Sequence, residues 1–287
     1  MIDALFGSSL ATNALLAGLA VVIMCGVLSV LVVVKRLGFV GQGVSHSAFG
    51  GVGAASVLAV YLPAAWPAAR VESIQFIVII AFCIAAALGM AMVSRRRIVS
   101  EDTAIGLFLV GSMALGAILV HVSGVLAERA GRPPSVQSWE SILFGSILLV
   151  SDLEVRIAAV VAGGGVGVAG LGRRPVLFWG LDEGRAPALG VRTQAMRTLL
   201  MVLLAVAIVI AMKLAGVVLA TALLVLPGAI ALRLSSRLWF TVGLSIAAGV
   251  LGLVGGLIAS VQFDWPTGPC VVAVLTAMFA LLELDRL

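Results

Sequence analysis

A polar pair stands within a strongly apolar stretch of this sequence. Gln42 and His46 lie four residues apart, and Ser45 precedes the histidine. If the segment 38–53 is helical, residues four apart share one face, so the amide and the imidazole project together. A neutral imidazole binds zinc, iron and manganese. The pair is therefore a candidate site of contact with a metal ion.

A line of small residues repeats at the same spacing along this segment. Gly43, Ser47, Gly51 and Ala55 are each four residues apart. Inside a membrane, small residues at this spacing allow another helix backbone to approach closely. The segment thus predicts a helix with a smooth contact strip beside its polar pair, which is what a pore-lining helix needs. Gly43, Ser45 and Ser47 would belong to that pathway helix.

Each polar residue also has a plainer explanation. A histidine inside a span is costly and faces a cavity or a partner, so His46 either lines an ion pathway, which we favour, or hydrogen-bonds between helices. Gln42 is a ligand, a partner that fixes the tautomer of His46, or an interhelical contact. We expect Ser45 to hydrogen-bond back to its own helix. The second histidine, His121, is expected at a water boundary.

The composition indicates a membrane protein. Of the 287 residues, 62% are hydrophobic and 11% are charged, and the mean hydropathy is +1.24. Several apolar runs reach the length of roughly 20 residues that crosses a hydrocarbon core. We expect an all-α protein, surrounded by lipid, with a single transmembrane domain over residues 1–287. About nine spans are predicted, at 12–34, 43–62, 74–93, 103–125, 153–171, 196–214, 216–232, 238–260 and 268–284.

The basic residues indicate the orientation of these spans. If the N-terminus lies outside and the spans alternate, most of the 18 Lys and Arg fall on the inner side, as cytoplasmic loops require. The protein would then lie in the inner cell membrane with its C-terminus in the cytoplasm. The pI of 9.9 also raises nucleic-acid binding. Because the basic residues are spread between apolar runs, we expect no nucleic-acid partner.

Two predicted loops and one proline add detail. Residues 126–152 lie outside and contain an apolar stretch around Trp139 that is too short to span, which favours an interfacial or re-entrant helix. Residues 172–195 lie inside and predict a short amphipathic helix from Leu181 to Val191. Pro227, in the seventh predicted span, is either a gating kink or a packing kink.

Other features of the sequence limit its chemistry. It contains no Gly-x-x-x-x-Gly-Lys-Ser/Thr loop for ATP, and no predicted span carries a buried acid suited to a proton relay. The two histidines lie in separate spans without clustered acids, which disfavours a membrane-embedded enzyme. We therefore expect a transport subunit that is not an enzyme and draws energy from a partner or an ion gradient.

Five segments resemble the permease subunits of zinc and manganese ABC importers, which are related to the vitamin B12 and siderophore permeases. The first, Gly-Gln-Gly-Val-Ser-His-Ser, is similar to the Gly-Asp-x-x-Ser-His-Ala motif of that family. They occur in the family's order over nearly the whole chain: Gly41–Ser47, Leu143–Leu148, Leu181–Val191, Thr221–Ala229 and Pro266–Pro269.

The resemblance implies a type II importer fold in which two copies of the chain form the pathway. It also implies two cytoplasmic ATPase subunits and an extracytoplasmic protein that delivers the metal, with no permanently bound cofactor. His46 matches the family's metal-contacting histidine, whereas Gln42 stands where the family has aspartate. The segment 181–191 would couple to the ATPase, and its candidate residues are Asp182, Glu183, Arg185, Ala186 and Gly190.

The residue types in the segment 181–191 also favour this role, independently of the resemblance. The acidic Asp182 and Glu183 suit the start of a helix, and Gly190 suits its end. An ordinary surface helix is the alternative. We favour coupling because a motor subunit needs a protruding cytoplasmic contact, and no other predicted loop offers one.

The residues and the resemblance together predict an ATP-driven importer of a divalent metal, with zinc first and manganese or iron next. A permease of the same architecture for a metal chelate such as a siderophore, haem or cobalamin is the nearest alternative. It would need a wider pore, and the neutral Gln42 keeps it open. A carrier or channel that works without an ATPase is the second alternative.

Overall fold

The structure is a computed structural model that describes residues 9–63, 65–95, 100–131, 152–171, 179–180, 185–190 and 192–284. All regular elements in these ranges are helical, which confirms the all-α prediction. They are α1 Ser9–Val34, α2 Gly38–Tyr61, α3 Ala68–Arg95, α4 Glu101–Arg129, α5 Asp152–Leu171, a 3₁₀ turn Ala186–Leu189, α6 Thr193–Leu214, α7 Gly216–Leu234, α8 Leu238–Phe263 and α9 Thr267–Leu284. The predicted interfacial helix around Trp139 lies outside the described residues.

Most of these helices have the length and composition of membrane spans. Among the described residues, eight are long and apolar enough to cross a bilayer, namely α1 to α4 and α6 to α9. The helix α5 forms where the fifth span was predicted, but its continuous apolar part, Ala158–Gly167, is shorter. The predicted multi-pass architecture is therefore confirmed.

The predicted boundary between the sixth and seventh spans is a single residue. The helices α6 and α7 run on from Thr193 to Leu234, and Gly216 alone leaves the helical conformation, with φ 83° and ψ 165°. Glycine reaches this backbone region without the clash that a Cβ atom would cause. The chain therefore changes helix at Gly216 without a loop.

Pro227 lies inside α7 without interrupting it, and the residue after it contacts a neighbouring helix. Proline lacks an N–H group, and its ring disturbs the hydrogen bonds of the preceding turn. The backbone N–H of Gly228 donates to Ser29 Oγ of α1 at 2.7 Å. Serine side chains commonly satisfy backbone groups that are freed in this way inside membranes. The gating kink and the packing kink at Pro227 both stay predictions.

The chain divides into two compact units. The first contains α1, α5, α7, α8 and α9, in which α1 packs against α5 and α8, and α8 packs against α9. Small residues bring these helices together. Ser245 Oγ donates to Gly26 O at 2.8 Å, and a Cβ atom on Gly256 would lie 2.5 Å from Val271 Cα. The core of this unit is therefore built on close backbone contacts.

The second unit contains α2, α3, α4 and the part of α6 from Arg197 to Val209. Here α2 and α4 approach backbone to backbone. A Cβ atom on Gly53 would lie 2.7 Å from Gly116 O, and one on Gly116 would lie 2.5 Å from Phe49 O. This unit carries the polar pair of α2. A single domain over residues 1–287 stays a prediction.

Candidate functional site

The turn of α2 that carries the polar pair holds His46 half-buried and Gln42 exposed. Ser45 is fully buried, and its Oγ donates to the backbone oxygen of Gln42 at 3.0 Å, which confirms the predicted back-bond. The same Oγ lies 3.5 Å from His46 Nδ1, too far for a strong hydrogen bond. The ring of Phe49 meets the imidazole edge to face, with centroids 5.9 Å apart.

The imidazole is thus held mainly by an aromatic contact. Within the part of the second unit that the structure describes, no side chain of another helix hydrogen-bonds to His46. The alternative in which His46 ties two spans together finds no support there. At least one ring nitrogen is therefore available to a ligand.

Side chains of α3 and α4 fix the backbone of this turn. Ser47 Oγ donates to Gly43 O at 2.7 Å and accepts from Ser112 Oγ of α4 at 3.2 Å. Cys83 Sγ of α3 donates to Val44 O at 3.8 Å. With the Ser45 bond, three consecutive carbonyl groups of α2 receive side-chain donors. The turn is anchored from two neighbouring helices and from its own helix.

The predicted strip of small residues is a contact strip in the structure. Gly43, Ser47, Gly51 and Ala55 are all buried. A Cβ atom on Gly43 would lie 2.7 Å from a side-chain atom of Ile105, and one on Gly51 would lie 3.0 Å from Ile79 Cα. The strip therefore packs within the second unit, against α3 and α4. Its role in a pathway stays a prediction.

The side of α2 that bears the polar pair is the side left open. Phe39 is 67% exposed and Tyr61 is 69% exposed, at the two ends of the helix, and Gln42 lies exposed between them. No group of three or more His, Cys, Asp or Glu able to hold a metal occurs among the described residues. One chain thus offers one imidazole and one amide, fewer donors than the four of a tetrahedral ion. His121 is exposed in the C-terminal third of α4, and its place at a water boundary stays a prediction.

The predicted coupling segment is described from Arg185 to Gly190. Ala186–Leu189 form one 3₁₀ turn, which is shorter than the predicted helix, and Gly190 ends it with φ 75° and ψ 12°. Arg185, Pro187 and Ala188 are exposed, while Ala186 is completely buried. The predicted position of Gly190 at the end of the turn is therefore confirmed. Asp182 and Glu183 lie outside the described residues.

Two polar groups of the second unit were missed in the sequence. Ser112 was hidden in an apolar span, although a serine in such a span usually has a partner. In the sequence, Arg197 is one of the 18 basic residues that indicate orientation, whereas in the structure its Nη2 donates to Ser94 Oγ at 3.0 Å and pairs with Glu101. No spacing rule connects these residues, because each pair is separated by about 65 to 103 positions.

The eight long apolar helices among the described residues define a multi-pass membrane protein. The sequence profile of the ABC 3 transport family matches residues 8–284, and the chain belongs to this family. The resemblance to permease subunits of metal ABC importers is thereby confirmed.

Individual relatives span nearly the same length. The manganese transport system membrane protein MntC of Halalkalibacterium halodurans is 31% identical over 279 residues, which cover 97% of this chain and 88% of that protein. The manganese transport system membrane protein MntB of Synechocystis is 32% identical over 261 residues, which cover 90% and 77%. The solved structure of PsaBC from Streptococcus pneumoniae in complex with a Fab has a TM-score of 0.79 and 27% identity, and the match covers 98% of this chain and 93% of that one.

Proposed function

We propose that this metal ABC importer permease uses α2 as the wall of its translocation pathway, with His46 and Gln42 contacting a divalent transition metal ion. The observation that carries this proposal is that one side of α2 is packed and the other side is exposed. Its small residues are buried against α3 and α4, while the amide is exposed and the imidazole is half-exposed. Two neutral donors bind an ion weakly enough to release it, as transport requires.

A second copy of the chain would complete the site. A two-fold axis along the pathway turns one imidazole and one amide into two of each, which suits a four-coordinate ion. The exposed positions of Phe39 and Gln42 are compatible with such a facing arrangement. Each chain would act as one transmembrane domain over residues 1–287, and the ion would be cargo, with no permanently bound cofactor.

Manganese is the proposed cargo, followed by zinc and iron. The relatives MntC and MntB carry manganese in their names. An amide carbonyl is a hard oxygen donor that suits manganese, whereas imidazole suits zinc and iron as well. The residues and the resemblance together put zinc first, whereas the names of these relatives favour manganese.

The energy would come from partner subunits. Cytoplasmic ATPase subunits would dock on the exposed turn 185–190, and an extracytoplasmic protein would release the metal over the two-fold axis. With the N-terminus outside and the C-terminus cytoplasmic, this turn faces the ATPase. ATP-driven closure would shift the equilibrium between outward and inward access to His46.

The proposal predicts ATP-dependent manganese uptake by the assembled importer. The permease, its ATPase and its binding protein are placed in liposomes, and the accumulation of radioactive Mn²⁺ is measured with and without ATP. We expect uptake only when ATP and the ATPase are present, and competition by excess Zn²⁺ but not by an iron siderophore. Uptake without the ATPase would support a stand-alone carrier, and uptake of the siderophore would support a chelate permease.

Gly190→Val is predicted to weaken the attachment of the ATPase. Valine in the left-handed region costs at least about 1–2 kcal/mol, so the docking conformation of the turn becomes rarer and retention falls about tenfold. The measurement is the amount of ATPase that co-purifies with the tagged permease. Gly131→Val is the matched control, because Gly131 has φ 63° at the end of α4 and no atom within 4 Å of its added Cβ atom. Equal retention in the two variants would remove residues 185–190 from the ATPase contact.

A further inference from the structure

Arg197 joins both ends of the α3–α4 connection. Its Nη2 donates to Ser94 Oγ in the last turn of α3 at 3.0 Å and pairs with Glu101, the first residue of α4. Ser94 donates to Ala91 O at 3.3 Å, so its oxygen offers a lone pair to the guanidinium. The side chain of Arg197 is only 19% exposed. One cation thus holds three helices of the second unit together.

The start of α4, where Glu101 lies, favours a fixed geometry. Ser100 caps α4 by accepting from the backbone N–H of Thr103 at 3.2 Å, which sets the direction of the helix start. The carboxylate of Glu101 lies in the first turn of α4, where the helix dipole favours negative charge. A partly exposed ion pair adds little stability. Its specific value lies in orientation, because the planar guanidinium can meet two acceptors at once.

The place of Arg197 in the chain gives this geometry a consequence. Arg197 lies near the start of α6, the helix that follows the 3₁₀ turn 185–190, and begins the part of α6 that belongs to the second unit. The helices it joins, α3 and α4, are those that anchor the His46 turn through Cys83 and Ser112. A displacement at the start of α6 would therefore reach α2 through packed and hydrogen-bonded groups.

We infer that Arg197 and Glu101 form a transmission link that couples the movement of the turn 185–190 to the polar pair on α2. Arg197 is a positioning residue in this link. The inference rests on the proposed attachment of the ATPase to that turn. The inference predicts that loss of the Arg197–Glu101 ion pair uncouples ATP hydrolysis from transport, although the proposed metal-contacting residues remain.

The test uses the assembled importer in liposomes with Arg197→Gln, Glu101→Gln and the charge exchange R197E/E101R. Metal uptake and ATP hydrolysis are measured together, and their ratio is compared with that of the unchanged protein. We expect each single variant to lower the ratio about tenfold, in the range of a coupling free energy between sites, and the charge exchange to restore much of it. The control is Arg233→Gln, because Arg233 pairs with Glu283 at 2.8 Å between α7 and α9, in the first unit; its ratio should not change.

A second readout does not depend on the identity of the cargo. Phe39 is 67% exposed in α2, so Phe39→Cys can report the accessibility of that face to a water-soluble thiol reagent. Labelling should change on addition of ATP in the otherwise unchanged chain and should cease to respond in the Arg197→Gln background. A normal ratio and a normal ATP response in both single variants would overturn the link, as would a charge exchange that restores neither. If Arg197→Gln does not fold, the Glu101→Gln variant tests the link in its place, because this variant keeps the contact between Arg197 and Ser94.

Discussion

Replacing His46 with alanine is expected to reduce ATP-driven manganese uptake by about 100-fold or more. Loss of an outer-shell partner alone commonly costs about 10–100-fold in metal affinity, and this change would remove an imidazole from both copies of the proposed site. The ring makes no interhelical hydrogen bond within the described part of the second unit. Helix packing should therefore survive, and the loss should appear in transport and in calorimetric binding of Mn²⁺ to the purified complex.

His121→Ala is the matched control for this experiment, because the chain contains two histidines. His121 lies exposed in the C-terminal third of α4, on a different helix from the proposed pathway residues His46 and Gln42. Its variant should transport at the rate of the unchanged protein. If His46→Ala and His121→Ala transport equally well, His46 does not line the pathway. If both variants lose uptake and also fail to retain the ATPase, the loss reflects faulty assembly. Metal binding by the purified permease dimer then decides whether His46 contacts the ion.

Gly116→Ala is expected to destabilise the second unit by about 1–3 kcal/mol, the usual cost of overpacking. The added Cβ atom would lie 2.5 Å from Phe49 O and 2.9 Å from Gly50 N. These are backbone atoms of α2, so the helices must separate rather than a side chain rotate. Because Phe49 packs on His46, uptake should fall together with stability. Thermal unfolding in detergent can be followed with a thiol-reactive dye, since Cys25, Cys83 and Cys270 are buried.

Gly111→Ala tests the same substitution on the same helix where there is room. A Cβ atom on Gly111 meets nothing within 4 Å, and the residue lines an open apolar groove of about 470 Å³ formed by α3 and α4. Alanine favours the helix by up to about 1 kcal/mol relative to glycine. This variant should unfold at the same temperature or higher. A comparable loss of stability in both variants would show that glycine itself, rather than the α2–α4 crossing, is required.

Span positions and the family could be read from short stretches of sequence, because both depend on local properties. Apolar length located the helix ends to within about six residues, and the predicted seventh span begins at Gly216, where the chain changes from α6 to α7. The motif around Gln42 and His46, with four others in order, identified the family. Spacing of four residues also placed Gly43 and Gly51 on one buried face.

Partners across the fold could not be read in the same way. Ser29 with Gly228, Ser47 with Ser112, and the ion pair of Arg197 with Glu101 join residues far apart in the chain. Hydrophobic periodicity says that a residue is buried but not which helix lies against it. Helix identity, the polar pair and the family thus follow from local chemistry. The anchoring of the His46 turn and the side of α2 left open follow from packing, because several helices of similar composition compete for the same small-residue surfaces.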